Sequence, residues 1–196
     1  MLILVRHGRT AVNAGVRLQG RMDEPLDDLG VRQAQATGEW IRSRWQAAEI
    51  VSSPLVRALG TARMIGEDVR VDHAFTELDY GDWDGMALAD VPRDEWHGWR
   101  SDPSFRPPNG ETLLELDQRV HAAAAALIEK AKDADIVLVS HMSPIKSIVA
   151  WVLGAGPEAT WRMSLDRASV CTVSVGPNGP ALASFNETGH LRGLRG

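Results

Sequence analysis

Two apolar runs in this chain each end on a histidine. Leu2-Ile3-Leu4-Val5 is followed by Arg6, His7 and Gly8, and Ile136-Val137-Leu138-Val139 by Ser140 and His141. A third run, Ile50-Val51, leads through Ser52 and Ser53 to a helix start that carries Arg57. An imidazole can act as nucleophile or hydrogen-bond donor, and arginine presents a planar fork that matches a tetrahedral oxyanion. This combination suits phosphoryl transfer, where catalysis is mostly positioning and stabilisation of charge on three equatorial oxygens. His7 reads as an in-line nucleophile kept neutral by nearby positive charge. Arg6, Arg57 and His141 read as donors to the phosphate, with Gly8 leaving room for it to approach backbone. A carboxylic acid must also protonate the leaving oxygen and later deprotonate water. Glu77, which opens Glu77-Leu78-Asp79-Tyr80-Gly81-Asp82-Trp83-Asp84-Gly85, is the candidate, although composition does not separate it from Asp79, Asp82 or Asp84.

These residues share a site only if the runs are neighbouring strands. Short unbroken apolar runs suit strands buried on both faces, and they alternate with helical stretches. Asp27 or Asp28 can cap a helix running to about Trp45, Pro54 suits the first turn of a second that reaches Ile65, and Val69 to Val71 reads as a strand. One short helix is expected around Asp90 to Trp96. The strongest helix runs from Glu111 to Lys132, with alanines 122–126 read as a close-packing face, and another runs from about Pro144 to Leu153. Val170 to Val175 and Ala181 to Phe185 read as a terminal hairpin. The expectation is a three-layer α/β/α fold with a mainly parallel central sheet, one domain over residues 1–196, and an insertion or lid over about 74–109. In such a sheet, ligands bind beyond the carboxyl ends of the strands, where both histidines fall.

Composition narrows the function classes. The net charge is −5 and the sequence pI is near 5.7, which argues against a nucleic-acid binder. Only Lys130, Lys132 and Lys146 are lysines, and the remaining basic residues are arginines. The lone Cys171 reads as a buried thiol. No apolar run reaches the ~18 residues of a membrane span, so no membrane partner is expected and the location read is cytoplasmic. No cofactor or metal is expected, because arginines crowding the histidines would repel a cation. Monomer and homodimer both stay open.

Leu4-Val5-Arg6-His7-Gly8-Arg9-Thr10 resembles the signature of the histidine phosphatase superfamily, the phosphoglycerate mutase-like proteins. Asn13, Leu26-Asp27-Asp28-Leu29-Gly30, Ser52-Ser53-Pro54-Leu55-Val56-Arg57-Ala58, the stretch from Glu77 to Gly85, Asn109-Gly110-Glu111-Thr112 and Val137-Leu138-Val139-Ser140-His141 resemble further segments of that family, in order. The resemblance implies a metal-free reaction through phosphohistidine. It makes His7 the nucleophile, Arg6, Arg57 and His141 phosphate ligands, and Glu77 the acid/base. It also suggests Asn13, Gln19 and Tyr80 as pocket residues. Met142 and Ser143 depart from the usual glycine after the second histidine, and Lys146 from the usual arginine. Met142 can narrow the pocket or add an apolar wall.

The resembling mutases carry a long basic insertion after the acid loop. Here Met86 to Pro108 is short and holds Trp96, Trp99 and Phe105, which favours a phosphomonoesterase with an aromatic-walled pocket acting on small soluble phosphate esters. A cofactor-dependent phosphoglycerate mutase is the alternative, and a non-catalytic phosphate-binding or interaction module the second. The tryptophans from Trp83 to Trp99 read as packing before substrate wall, and Trp40 and Trp45 as core on a helix face. His73, His97, His121 and His190 read as surface or structural residues, with His97 a lid candidate.

Overall fold

The computed structural model describes residues 1–194. Strand β1 (Leu2–Arg6) is buried along its whole length. Its side chains alternate: Leu2 and Leu4 enter one apolar cluster, Ile3 and Val5 another. That alternation explains why the run is apolar without interruption, because both faces of the strand are covered.

Five more strands complete the sheet: β2 (Ala47–Ser52), β3 (Val69–Val71), β4 (Asp135–Ser140), β5 (Val170–Gly176) and β6 (Gly179–Glu187). Their order is β3-β2-β4-β1-β5-β6. The β3-β2, β2-β4 and β4-β1 pairs are parallel. The terminal hairpin adds β5 and β6 antiparallel on one edge.

Helices cover both faces. On one, α2 (Asp28–Arg42) and α3 (Val56–Arg63) bring Ile41, Ala58 and Ala62 against Ile3, Val5 and Val139. On the other, α5 (Leu113–Lys130) and α6 (Met142–Val152) bring Leu116, Val120, Ile145 and Ile148 against Leu2, Leu4 and Leu138. This is the expected three-layer arrangement. Two short helices, α1 (Ala11–Ala14) and α4 (Arg93–Ser101), lie in the connections. Among the described residues, no helix is long and apolar enough to cross a membrane.

Several boundaries differ from the sequence reading, each for a local reason. Helix α2 stops at Arg42, so Trp45 lies beyond it; Trp40 and Trp45 meet edge-on at 5.2 Å and are half-buried rather than core. The short helix begins at Arg93, not Asp90, because Val91 precedes Pro92 and is held extended. Helix α3 begins at Val56, where the loop residue Asp23 accepts the first N–H at 2.7 Å. Helix α5 begins after Thr112, which forms a capping box with Glu115. Of alanines 122–126 in that helix only Ala124 is fully buried, so the run supplies helix propensity more than close packing. Residues 74–109 contribute Phe75, Leu78, Trp83, Val91 and Trp99 to the buried core, so this segment packs as wall.

Candidate active site

Sheet register places the two histidines together. Arg6 is paired with Ser140 across β1 and β4, so His7 and His141 leave the sheet side by side. The His7 N–H continues the ladder to the Ser140 carbonyl at 3.0 Å, and the ring centroids lie 5.0 Å apart. Next door, the Ser53 N–H bonds Val139 O at 3.0 Å, extending β2 by one residue towards α3 and Arg57.

The His7 ring has a defined tautomer. Its Nδ1 lies 2.7 Å from Gly8 O, and a carbonyl can only accept, so Nδ1 carries the hydrogen and Nε2 the lone pair. Arg57 Nε approaches that lone pair at 3.3 Å. Burial, then the charges of Arg57 and Arg6, push the His7 pKa well below the ordinary 6.5, which keeps the ring neutral. His141 is lowered in the same direction by burial, then by Arg57 and His7. Its Nε2 pairs with Ser53 Oγ at 2.7 Å, while Nδ1 is buried without a partner.

Glu77 is almost fully buried, and its carboxylate caps α6. The N-terminal end of that helix offers Met142 N–H to Oε2 at 3.0 Å and Ser143 N–H to Oε1 at 3.1 Å. Leu78 N–H adds a third bond to Oε1 at 2.8 Å. His141, the N-cap residue by backbone geometry, gives no side-chain cap. A carboxylate from a distant loop therefore satisfies amides that helix starts otherwise leave open. Asp79 and Asp82 bond Gly81 N–H and Asn109, and Asp84 holds the backbone N–H groups of Gly20, Arg21 and Met22. Those three acids shape loops, and Glu77 alone of the four meets the α6 start.

A cavity of about 540 Å³ opens in front of His7. Arg6, Asn13, Gln19, Glu77, Tyr80 and Met142 line it, as does His7 itself. Arg57 and His141 lie one layer deeper, beside the His7 ring rather than on the cavity wall. The cavity floor is rich in unspent donors. Arg6 Nε, Asn13 Nδ2 and Gln19 Nε2 are buried and unpaired, as is His141 Nδ1 behind them. Asn13 and Gln19 are oriented by Thr10: its N–H donates to Asn13 Oδ1 at 3.2 Å, and its hydroxyl to Gln19 Oε1 at 2.7 Å. Arg6 also donates to Leu165 O, and burial brings its pKa down to about 10, still well above neutrality. Tyr80 is buried and its phenol is raised by burial and by Glu77.

Arg57 plays a larger structural part than the sequence suggested. It is fully buried, and it donates to Met22 O at 2.6 Å and Gly20 O at 2.8 Å, tying the loop before α2 to the site. Gly8 also has a second reason. A Cβ there would lie 2.5 Å from Gly30 O, and one on Gly30 would lie 2.0 Å from Arg9 O. Two glycines let the His7 loop and the start of α2 pack backbone to backbone.

Sequence reasoning missed Ser53 as the partner of His141, and it missed Val16, Arg17, Trp161 and Arg167 on the cavity wall. Ser53 stands within the Ser52-Ser53-Pro54-Leu55-Val56-Arg57-Ala58 segment, so its position is visible in the sequence but its partner is not. The others sit in loops with no pattern of their own. Of the remaining histidines, His190 stacks on Trp40 and bonds Thr37, His121 stacks on Trp151, and His97 is exposed on α4.

A mainly parallel sheet carrying two neutral histidines and buried arginines at its carboxyl edge defines the phosphoglycerate mutase-like α/β fold. Residues 2–188 match the model of the histidine phosphatase superfamily, branch 1, and the chain belongs to that family. It is 35% identical over 198 residues to the bifunctional protein Rv2228c of Mycobacterium tuberculosis, covering 97% of this chain and 54% of that protein. The chain thus spans about half the length of that relative. It is 36% identical over 179 residues to the probable phosphoglycerate mutase GpmB of Salmonella arizonae, covering 87% of this chain and 82% of that one. Among solved structures, a phosphoserine phosphatase mutant from Entamoeba histolytica bound to phosphoserine superposes with a TM-score of 0.88 at 28% identity, covering 97% and 98% of the two chains. Mycobacterial glucosyl-3-phosphoglycerate phosphatase gives 0.84 at 30% identity, covering 95% and 98%.

Proposed function

We propose that this chain is a phosphomonoesterase that hydrolyses small soluble phosphate esters through a phosphohistidine at His7, without a metal. The observation that carries the reading is the His7 ring: its lone pair sits on Nε2, amid buried donors that lack protein partners. Unpaired buried donors cost about 1–3 kcal/mol each, and a tetrahedral dianion would relieve several at once.

In the first step Nε2 of His7 attacks phosphorus, the N–P bond forms and the ester P–O bond breaks. Glu77 gives a proton to the departing oxygen. In the second step the Glu77 carboxylate takes a proton from water, the water oxygen attacks phosphorus, the N–P bond breaks and inorganic phosphate leaves. Arg6, Asn13 and Gln19 hold the equatorial oxygens from the cavity side. Arg57 and His141 support them from behind His7, with Arg57 turning from Nε2 to oxygen as the lone pair is used. Tyr80 and Met142 bound the leaving-group side. Neutral His7 is available at neutral pH because burial and two arginines disfavour its charged form.

The test is turnover of a panel of phosphate esters, with excess chelator present, by wild type and His7→Ala. Wild type should turn over undiminished by chelator and yield an acid-labile, alkali-stable phosphoprotein on rapid quench. His7→Ala should lose roughly 10⁴-fold or more in kcat and give no phosphoprotein. Chelator-sensitive turnover, or substantial activity in His7→Ala, overturns the reading. The mutase reading draws on the name of one relative and on Arg17 and Arg167 at the outer cavity. It requires transfer between hydroxyls of a sugar acid when primed by a bisphosphate, and a flat coupled mutase assay rejects it.

A further inference from the structure

We infer that the substrate's leaving group carries a flat apolar body, an aromatic ring or its equal, seated between Trp96 and Trp161 on one side and Val16 and Leu88 on the other. This rests on the phosphate-monoester reading of the cavity floor and adds a substrate class to it.

Away from that floor, the cavity changes character. Val16, Leu18, Leu88, Trp96, Met142 and Trp161 face it. Val16 is 67% exposed and Leu88 39%, so both leave apolar surface open at the mouth of the cavity. Contiguous apolar surface left open beside convergent polar groups marks a ligand wall.

The wall is built, not incidental. Trp96 and Trp161 are half-buried and stand against Trp99, which is almost fully buried, at centroid distances of 5.0 and 4.6 Å. Trp83 and Phe105 stack behind Trp99 at 6.0 Å from each other. The indoles at the cavity are therefore braced by a second row of rings and are held ready before any ligand arrives. Arg100 lies over Trp161, 5.3 Å from its ring centre.

Val16, Leu18 and Leu88 have a scaffold of their own. Leu18 N–H bonds Met86 O at 2.9 Å, Gly85 N–H bonds Leu18 O at 2.9 Å, and Arg17 bridges to Ala87. This small ladder joins two connecting segments and presents Val16, Leu18 and Leu88 together. Val16 has φ 54°, left-handed backbone that a β-branched residue rarely adopts. Such strain persists where surrounding structure imposes it, and here it holds an isopropyl group at the cavity mouth.

Polar groups on the same wall are already engaged. Arg17 donates to Gly85 O, Arg167 to Asn13 O, and Asp166 accepts from Asn186. A small polar leaving group such as serine or glycerate would leave the indoles, Val16 and Leu88 in water. A flat apolar group would cover them.

The experiment separates binding from turnover. Benzylphosphonate and methylphosphonate present the same phosphoryl-like head and cannot be hydrolysed. Calorimetry should find benzylphosphonate at least tenfold tighter. Trp161→Ala and, separately, Trp96→Ala should each bring that ratio to about threefold or less. Two variants on different segments guard against one that fails to fold. In parallel, kcat/KM is compared for benzyl phosphate and propyl phosphate, whose alcohols are of similar acidity, and the same preference of tenfold or more is expected. Equal phosphonate affinities overturn the aromatic-wall inference, whatever the turnover. Preferential benzylphosphonate binding with no ester turned over keeps this inference and sinks the phosphomonoesterase reading. Turnover without preference does the reverse.

Discussion

The inner and outer halves of the cavity are built on opposite terms. Inner residues stand at strand ends or helix starts or, for Glu77, on a loop, and are locked by backbone. His7 is tied to Gly8 O and Ser140 O, Arg57 to Gly20 O and Met22 O, and Glu77 to three amides. Outer residues come from short helices and connecting segments: Trp96 and Trp161 meet through ring packing with Trp99, and Val16 and Leu88 through a short backbone ladder between two connections. Sheet register therefore positions the proposed chemistry, while loop packing positions the leaving group. The two halves should fail differently when altered: inner changes should act on every ester, and outer changes should reorder esters.

The largest effect expected to sharpen that contrast is Glu77→Gln. Loss of a proton donor typically costs 10²–10⁴-fold, and kcat/KM for an alkyl phosphate should fall by about that much. It reports the phosphorylation step, in which the leaving oxygen needs its proton. For p-nitrophenyl phosphate, whose phenolate leaves without help, the fall in kcat/KM should be at least tenfold smaller. An equal fall for both esters would remove Glu77 from the proton-donor role and leave it only as the cap of α6.

Next in size is a pH effect on stability. His7 and His141 both have native pKa values below the ordinary 6.5. Between those native values and 6.5 the unfolded chain binds protons that the folded chain refuses. Stability is thus intact above about pH 6.5 and is lost as pH falls, by about 1.4 kcal/mol per pH unit for each ring. Urea unfolding of wild type and His141→Asn between pH 7.5 and 5 should show the steeper acid loss in wild type. Parallel curves would mean that His141 gains its proton as readily in the folded chain as in the unfolded one, and that the inner half does not hold this ring neutral.

Legibility in the sequence follows the same division. The inner half could be read because each of its residues lies one to five positions beyond an apolar run or inside a motif, and a parallel sheet brings such ends together. β1 and β4 were visible as strands, and their register did the rest. What could not be read was reciprocal bonding across the chain: the Glu77 carboxylate capping a helix 65 residues later, or Ser53 meeting His141. The outer half had no periodicity to betray it. Trp161 lies in a short 3-10 segment (Pro157–Arg162), far from Trp96 in the chain, and the two meet only in the fold, edge-on at 6.1 Å and through their shared contact with Trp99. The start of α3 was misplaced for a related reason, since its first N–H is satisfied by Asp23, 33 residues earlier.

The smallest effect concerns Ser53. Its hydroxyl oxygen accepts from Leu55 N–H at 3.4 Å and lies 2.7 Å from His141 Nε2. If the hydroxyl hydrogen goes to Nε2, the neutral ring must carry its own hydrogen on Nδ1, the buried nitrogen that has no protein partner. That nitrogen then donates to a phosphate oxygen. Without the hydroxyl, the ring can put its hydrogen on Nε2 and turn a lone pair towards the anion. Ser53→Ala should therefore lower kcat/KM about tenfold, the size of one misplaced hydrogen bond, and by the same factor for benzyl and propyl phosphate because the change lies in the inner half. In a His141→Asn background the same substitution should change little, since the ring it orients is gone; a double-mutant cycle measures this directly. Additive losses would show that Ser53 supports the fold of the loop and not the hydrogen on His141.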